Sequence, residues 1–491
     1  MNRDSSAGVF ALTAAAALAP SLAHDVGVQL APDPTGVLGI VNLNGTTQTD
    51  GPFFQSLGTN GRSCASCHVA GQGMSFTPTG AQARFTQTGG QDPLFSEVDG
   101  ANCRGAKTGD AAAHSLILNS GLIRIGLTLP AAAEFTISVV HNPYGCAIVP
   151  DPVTGQPVVS VYRRPLPATN LRFLSAVMFD GRETVKPLDK PLNDDGQTFS
   201  EHLVADLTHQ ATDATMGHAQ AAHAPTSTQL LQIVNFELGL FTAQSSDSQA
   251  GSLSIARAQG GPTNLSAQSY YPGINDSLGK DPTGVAFNPS AMMLFAPWAS
   301  QDEQDTVGLA RASIARGEAL FDTFPITIRN VRGLNDNSAI GSPDSFVGHC
   351  TSCHDTPNVG NHSLPLPLDI GTAHTSLPSM ESDPAIAAGI AQLSMPDLPI
   401  YLIQGCPNPF ASGEPESFYT TDPGRALTSG KCADFNRIKG PILRGLAARA
   451  PYFHNGAAAD LHEVVNFYNQ RFNMQLTEDQ KSDLVAFLNS L

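Results

Sequence analysis

GRSCASCH at residues 61–68 and CTSCHDTP at residues 350–357 carry the same pattern, Cys-x-x-Cys-His. Two thiols at this spacing form thioethers with the vinyl groups of a haem, and the adjacent histidine turns back beneath the ring to ligate its iron. Zinc would need a second Cys/His pair beside each motif, and a thioredoxin-like pair has no use for the trailing histidine twice. The chain therefore reads as the binder of two covalent haem c groups. Cys64, Cys67, Cys350 and Cys353 attach them, and His68 and His354 are the proximal iron ligands.

Around these motifs the periodicity predicts helices. Leu309, Ala312, Ile314, Ala315, Leu320 and Phe321 mark one helix ahead of the second motif. Thr477 and Gln480 form a capping box for a last helix whose apolar face is Leu484, Val485, Phe487 and Leu488. Residues 227–244 read as a further helix burying Leu230, Leu231, Val234, Leu238 and Phe241. By contrast, residues 122–140 (LIRIGLTLPAAAEFTISVV) alternate and are β-branched near their end, which predicts strands. The expected fold is mainly α: two cytochrome c-like haem domains with long loops, at 24–304 and 305–491. A small strand-rich insertion at about 72–160 interrupts the first.

Residues 1–23 have the polar start, apolar run and small-residue end of a cleaved secretory signal, predicting export to the periplasm. No later apolar stretch is long enough to span a bilayer, so no stable membrane insertion is expected. The roughly 470 residues beyond the signal suggest two or three domains. A net charge of −17 disfavours a nucleic-acid partner and suits a basic one. In an oxidising compartment the other four cysteines should pair. Three pairings are open, and proximity favours Cys103–Cys146 with Cys406–Cys432.

Five segments taken in order (GRSCASCH; LPATNLRFLSAVMFDGRE at 166–183; CTSCHDTP; IKGPILRGLAARAPYFHNG at 438–456; LHEVVNFYN at 461–469) resemble the bacterial di-haem cytochrome c peroxidases and the related MauG enzymes. The resemblance covers the framework of most of the chain beyond the signal. The insertion at about 72–160 and an extension at about 245–300 have no counterpart in the short peroxidases. It implies hydrogen peroxide as substrate at the N-terminal haem, a C-terminal haem that relays electrons, and a small electron-donor protein such as a cytochrome c or cupredoxin. It also implies a second axial ligand for the C-terminal haem at Tyr468, Met474 and Met395 being the alternatives, and a propionate-side arginine at Arg444.

Three departures bear on mechanism. Arg84 stands where the peroxidases place a second histidine on the N-terminal haem, which implies an open or water-filled iron position. Phe179 replaces the tryptophan between the haems. Gln210 matches a distal glutamine, but Gln220 stands in place of the glutamate that assists peroxide cleavage, leaving His218 as the candidate acid–base group. The resemblance further implies a calcium ion between the domains, held in part by carbonyls of the Pro451 segment, with Arg164 at the position of its asparagine ligand. A di-haem electron-transfer protein without peroxidase activity and a MauG-like oxidase of an organic substrate are the alternative readings.

Overall fold

The computed structural model describes residues 27–44, 49–186, 197–300, 305–375, 383–410 and 415–491. The signal segment lies outside them, as does part of the junction at 301–304.

The chain is a mixed α/β protein, 32% helix and 17% strand with four sheets among the described residues, which corrects the mainly α expectation. The strands are β1 (Gln29–Asp33), β2 (Gly36–Asn42), β3 (Ile123–Thr128), β4 (Thr136–His141), β5 (Ile148–Pro150), β6 (Pro157–Arg163), β7 (Leu240–Asp247), β8 (Gly251–Ser252), β9 (Ile326–Arg329), β10 (Ser345–Gly348), β11 (Ile400–Pro407) and β12 (Pro415–Thr420). They form the sheets β1-β2-β7-β8, β3-β6-β5, β12-β11-β4 and β10-β9, with antiparallel neighbours throughout. The reason for the miss is physical. β2 pairs with β7 and β4 with β11, partners so distant in sequence that no local periodicity announces them.

The same tertiary pull shortens one predicted helix. Ser227–Gly239 is helical, capped by Thr226 and Gln229 in a reciprocal box, but Leu240–Asp247 leaves it to pair with β2. Leu231, expected inside, is 57% exposed, whereas Ile233 and Val234 are buried. The other local readings hold. Thr306–Thr323 is a helix capped by Asp305, and Glu478–Asn489 is one capped by Thr477 and Gln480. Strands β3 and β4 fall inside 122–140 except for the last residue of β4, His141. The insertion's first part is helical, at Pro78–Thr88 and Ser115–Ser120.

The two terminal helices cross closely because Gly317 has no side chain: a Cβ there would lie 1.9 Å from the Asp483 carbonyl oxygen. Around this crossing a single apolar core gathers residues from Ala250 to Trp298, then Ile314 and Phe321, and on to Leu491. The extension at about 245–300 thus packs into the core that surrounds the second haem motif. β4, from the insertion, extends a sheet of the C-terminal half. Both expected disulfides are present, Cys103–Cys146 and Cys406–Cys432. No helix among the described residues is long and apolar enough to cross a membrane.

Candidate haem sites

Both Cys-x-x-Cys-His motifs fold alike. Each opens with a 3-10 turn, Cys64–Ser66 or Cys350–Ser352. The hydroxyl oxygens of Ser66 and Ser352 accept from the amides of Ser63 and His349 at 3.0 and 2.9 Å. The next turn brings the His68 amide to the Cys64 carbonyl and the His354 amide to the Cys350 carbonyl, both at 3.0 Å. Each imidazole is then fixed through Nδ1, His68 to the Met74 carbonyl at 3.0 Å and His354 to the Gly360 carbonyl at 2.6 Å. That leaves Nε2 as the nitrogen available for a metal. Burial holds both histidines below their ordinary pKa, so they are neutral, the form that ligates.

The motifs face two internal cavities, of about 170 Å3 beside His68 and about 230 Å3 beside His354. The four motif cysteines are unpaired. Burial, and then Glu237, pushes the Cys64 thiol up to about 12, and burial pushes Cys67 up to about 11. Two protonated thiols beside a neutral imidazole, in an apolar chamber, are a donor set that suits covalent haem c.

In the N-terminal cavity, Gln210 and His218 line the wall with Cys64, Cys67 and His68. Gln210 projects from the helix Phe199–Gly217, and His218 is that helix's C-terminal cap. His218 Nδ1 is hydrogen-bonded to Asp99 Oδ2, and Arg62 holds Asp99 Oδ1. Burial works to raise the Asp99 pKa, but His218 and Arg62 keep it below the usual carboxylate range. Gln220 is exposed and does not line the cavity; its amide oxygen accepts from Asn60 Nδ2 at 3.4 Å. Arg84 is also outside it, paired with Asp92. His68 and His218 are the histidines of that lining among the described residues.

Two groups there were not foreseen. Asp99 gave no local signal. Glu237 lines the cavity from the helix Ser227–Gly239, its Oε2 without a hydrogen-bond partner, and burial alone pushes its pKa up to about 8. Its position between Val234 and Leu238, on the buried face of an apolar helix, was the available signal.

In the C-terminal cavity, Tyr468 and Met474 line the wall with His354, and Met395 does not. Tyr468 lies on the helix Leu461–Arg471, stacked on Phe472 with centroids 6.1 Å apart. Burial raises its pKa, and its hydroxyl has no hydrogen-bond partner among the described residues. Arg444 is buried but lines neither cavity; its Nε and Nη2 both donate to the Asn358 carbonyl, at 2.9 and 2.6 Å.

The cavities share a wall made of residues 164–167, Phe179, Lys439 and Ile442. Phe179 packs edge-on to His454, centroids 6.1 Å apart. The Arg164 guanidinium donates to three carbonyls, Gly121 at 2.9 Å, Phe76 at 2.7 Å and Arg449 at 3.1 Å. Arg163, which also lines the N-terminal cavity, bridges Asp180 and Asp422 at 2.6 Å each, all three buried.

No family model matches the chain. A stretch of 78 residues is 41% identical to the cytochrome-c peroxidase IdrP2 of Denitromonas iodatirespirans, covering 14% of this chain and 21% of that protein. A 69-residue stretch is 39% identical to the cytochrome c551 peroxidase of Nitrosomonas europaea, again 14% and 21%. Another 69 residues are 38% identical to IdrP1 of Denitromonas iodatirespirans, 12% and 18%. The matches thus span about a fifth of the length of these relatives. Over those stretches the chain is similar to bacterial cytochrome c peroxidases, which bears out the family resemblance read from its motifs.

Proposed function

We propose that this chain is a periplasmic di-haem c oxidoreductase that reduces hydrogen peroxide in the cavity beside His68, with the cavity beside His354 holding the haem that relays electrons. One observation carries the reading: the wall that presents Cys64, Cys67 and His68 also presents an imidazole hydrogen-bonded to a buried carboxylate. Haem c, when attached, supplies the iron at which peroxide binds and the electrons that reduce it. The protein's part is to move a proton. Asp99 fixes the His218 tautomer, so Nε2 accepts the proton of the nearer peroxide oxygen and returns it to the departing one. Gln210 orients the peroxide through its amide. Gln220, outside the cavity, supports the turn after His218 through Asn60, whose Nδ2 also donates to the His218 carbonyl at 2.8 Å.

Cys350, Cys353 and His354 would hold the second haem, and Tyr468, on the same cavity wall, would supply a further oxygen ligand to its iron. An anionic oxygen ligand there favours ferric iron. The donor is a small basic redox protein, drawn by the −17 charge. The test is a haemochrome count together with steady-state turnover. The expected result is two haems per chain and peroxide-dependent oxidation of a reduced cytochrome c. Two haems with no turnover would favour the electron-transfer reading, and fewer than two would end both.

A further inference from the structure

Lys439 is 5% exposed and lines both cavities at once. Its backbone is pinned: its amide donates to the Phe179 carbonyl at 2.7 Å, and Ile438 beside it exchanges hydrogen bonds with Leu368 at 3.0 Å. The main chain at this position is therefore fixed, and the side chain starts from the wall that both cavities share. Among the described residues it has neither an ion-pair partner nor a hydrogen-bond acceptor. Burial alone pushes its pKa down to about 8, with no carboxylate to offset it. The cations around it are already satisfied: Arg164 by three carbonyls, Arg449 by those of Gly445 and Ile442, Arg444 by that of Asn358.

A buried ammonium without a counter-charge is costly, so such a group marks a place where an anion is to be bound. If each cavity holds a haem, as proposed above, each occupant brings two carboxylates. We infer that Lys439 is the common ion-pair partner of one propionate from each haem, a positioning residue that ties the two cofactors together through a single buried charge. This role rests on the di-haem reading and goes beyond it. One cation shared by two centres favours the reduced state of both, since each loses positive charge on reduction.

The test is Lys439→Met, which keeps the stem length and removes the charge, with Lys439→Arg as the charge-retaining control. A haemochrome count comes first: fewer than two haems in the parent would defeat the di-haem reading itself. With two present, spectroelectrochemical titration should show the Met variant shifted about tenfold toward the oxidised form at both haems, 59 mV lower each. The Arg variant should stay within threefold of the parent. A shift at only one haem, or at neither, overturns the shared partner. If Lys439→Met fails to load haem while Lys439→Arg loads normally, charge at this position is needed and the inference stands. Failure of both variants to load would assign the residue a packing role and overturn it.

Discussion

Replacing His218 by alanine is the sharpest test of the proposed chemistry. The imidazole is anchored at one nitrogen by Asp99, itself held by Arg62, so its other nitrogen is presented to the cavity with little freedom. A positioned acid–base group of this kind contributes ~10²–10⁴-fold in rate. The lower bound corresponds to about 2.7 kcal/mol of barrier. The variant should fold normally: His218 is a partly exposed helix cap, and its backbone bonds to Asn60 and Arg62 do not use the imidazole. Stopped-flow mixing with peroxide, followed in the Soret band at equal haem content, should show the second-order rate falling by ~10²-fold or more. Gln220→Ala, at an exposed position outside the cavity, should fall by less than about threefold. Glu237→Gln is the decisive comparison, because Glu237 is the other protonatable group on this wall without a partner for one of its oxygens. A His218→Ala rate equal to the parent's, with Glu237→Gln slowed by ~10²-fold, would refute the imidazole mechanism and transfer the proton to the carboxyl.

Other outcomes follow from the same geometry. Tyr468→Phe should raise the potential of the C-terminal haem by at least a tenfold change in its reduction equilibrium, about 59 mV, in a spectroelectrochemical titration; an unchanged value would give the ligand position to Met474. Arg163→Met leaves Asp422 buried without its guanidinium and Asp180 with Arg182 alone, and should cost ~3–5 kcal/mol in denaturant unfolding. In the parent, burial opposes ionisation of Asp180, but Arg163 and Arg182 pull its pKa down to about 2, below the unfolded value near 3.9. Its contribution, about 2 kcal/mol, is complete above pH ~4 and disappears as the pH falls toward 2, measurable as acid destabilisation that Asp180→Asn lacks. Arg164 already occupies the carbonyls of Gly121, Phe76 and Arg449, so chelation with EDTA should leave Tm unchanged, while Arg164→Ala should lose about 3 kcal/mol or more; a Tm lowered by EDTA and restored by calcium would reinstate the ion.

What the sequence made legible was whatever its chemistry writes locally. Two pentapeptide motifs place both cavities, the capping box at Thr477 places a helix start, and cysteine proximity gives both disulfides. Apart from the strands at 122–140, sheet content was hidden because its cause is pairing between distant segments, such as Leu38 with Gln244, neither of which is special alone. The candidate site divides along the same line. His218 could be named from its place near a matched glutamine, but Asp99, which orients it, lies 119 residues away. The family resemblance implied a propionate-side place for Arg444. The fold turns it onto the Asn358 carbonyl instead and gives the cavity wall to Lys439, a residue with no motif of its own beyond its neighbours.

The charges of this protein are arranged in opposition. The chain as a whole carries −17, yet Arg164, Lys439 and Arg444 are buried, and Arg449 half-buried, near the two cavities without a carboxylate ion-pair partner among the described residues. Burying a cation is unfavourable by several kcal/mol unless dipoles or anions compensate it. Backbone carbonyls do so for the three arginines, which suits a planar group with five donors. They do not do so for Lys439, whose compact charge is left facing two chambers. An interior poised for anions inside an acidic exterior favours two different kinds of partner. On the di-haem reading proposed above, haem carboxylates would be drawn inward to the ammonium and a basic electron donor to the outside, where long-range attraction speeds encounter and fades with salt. The wall of residues 164–167, Phe179 and Lys439 is where the two requirements meet. It lacks an easily oxidised tryptophan, so on the di-haem reading electrons reaching one cavity would pass to the other across Phe179 and the carboxylates proposed to pair with Lys439.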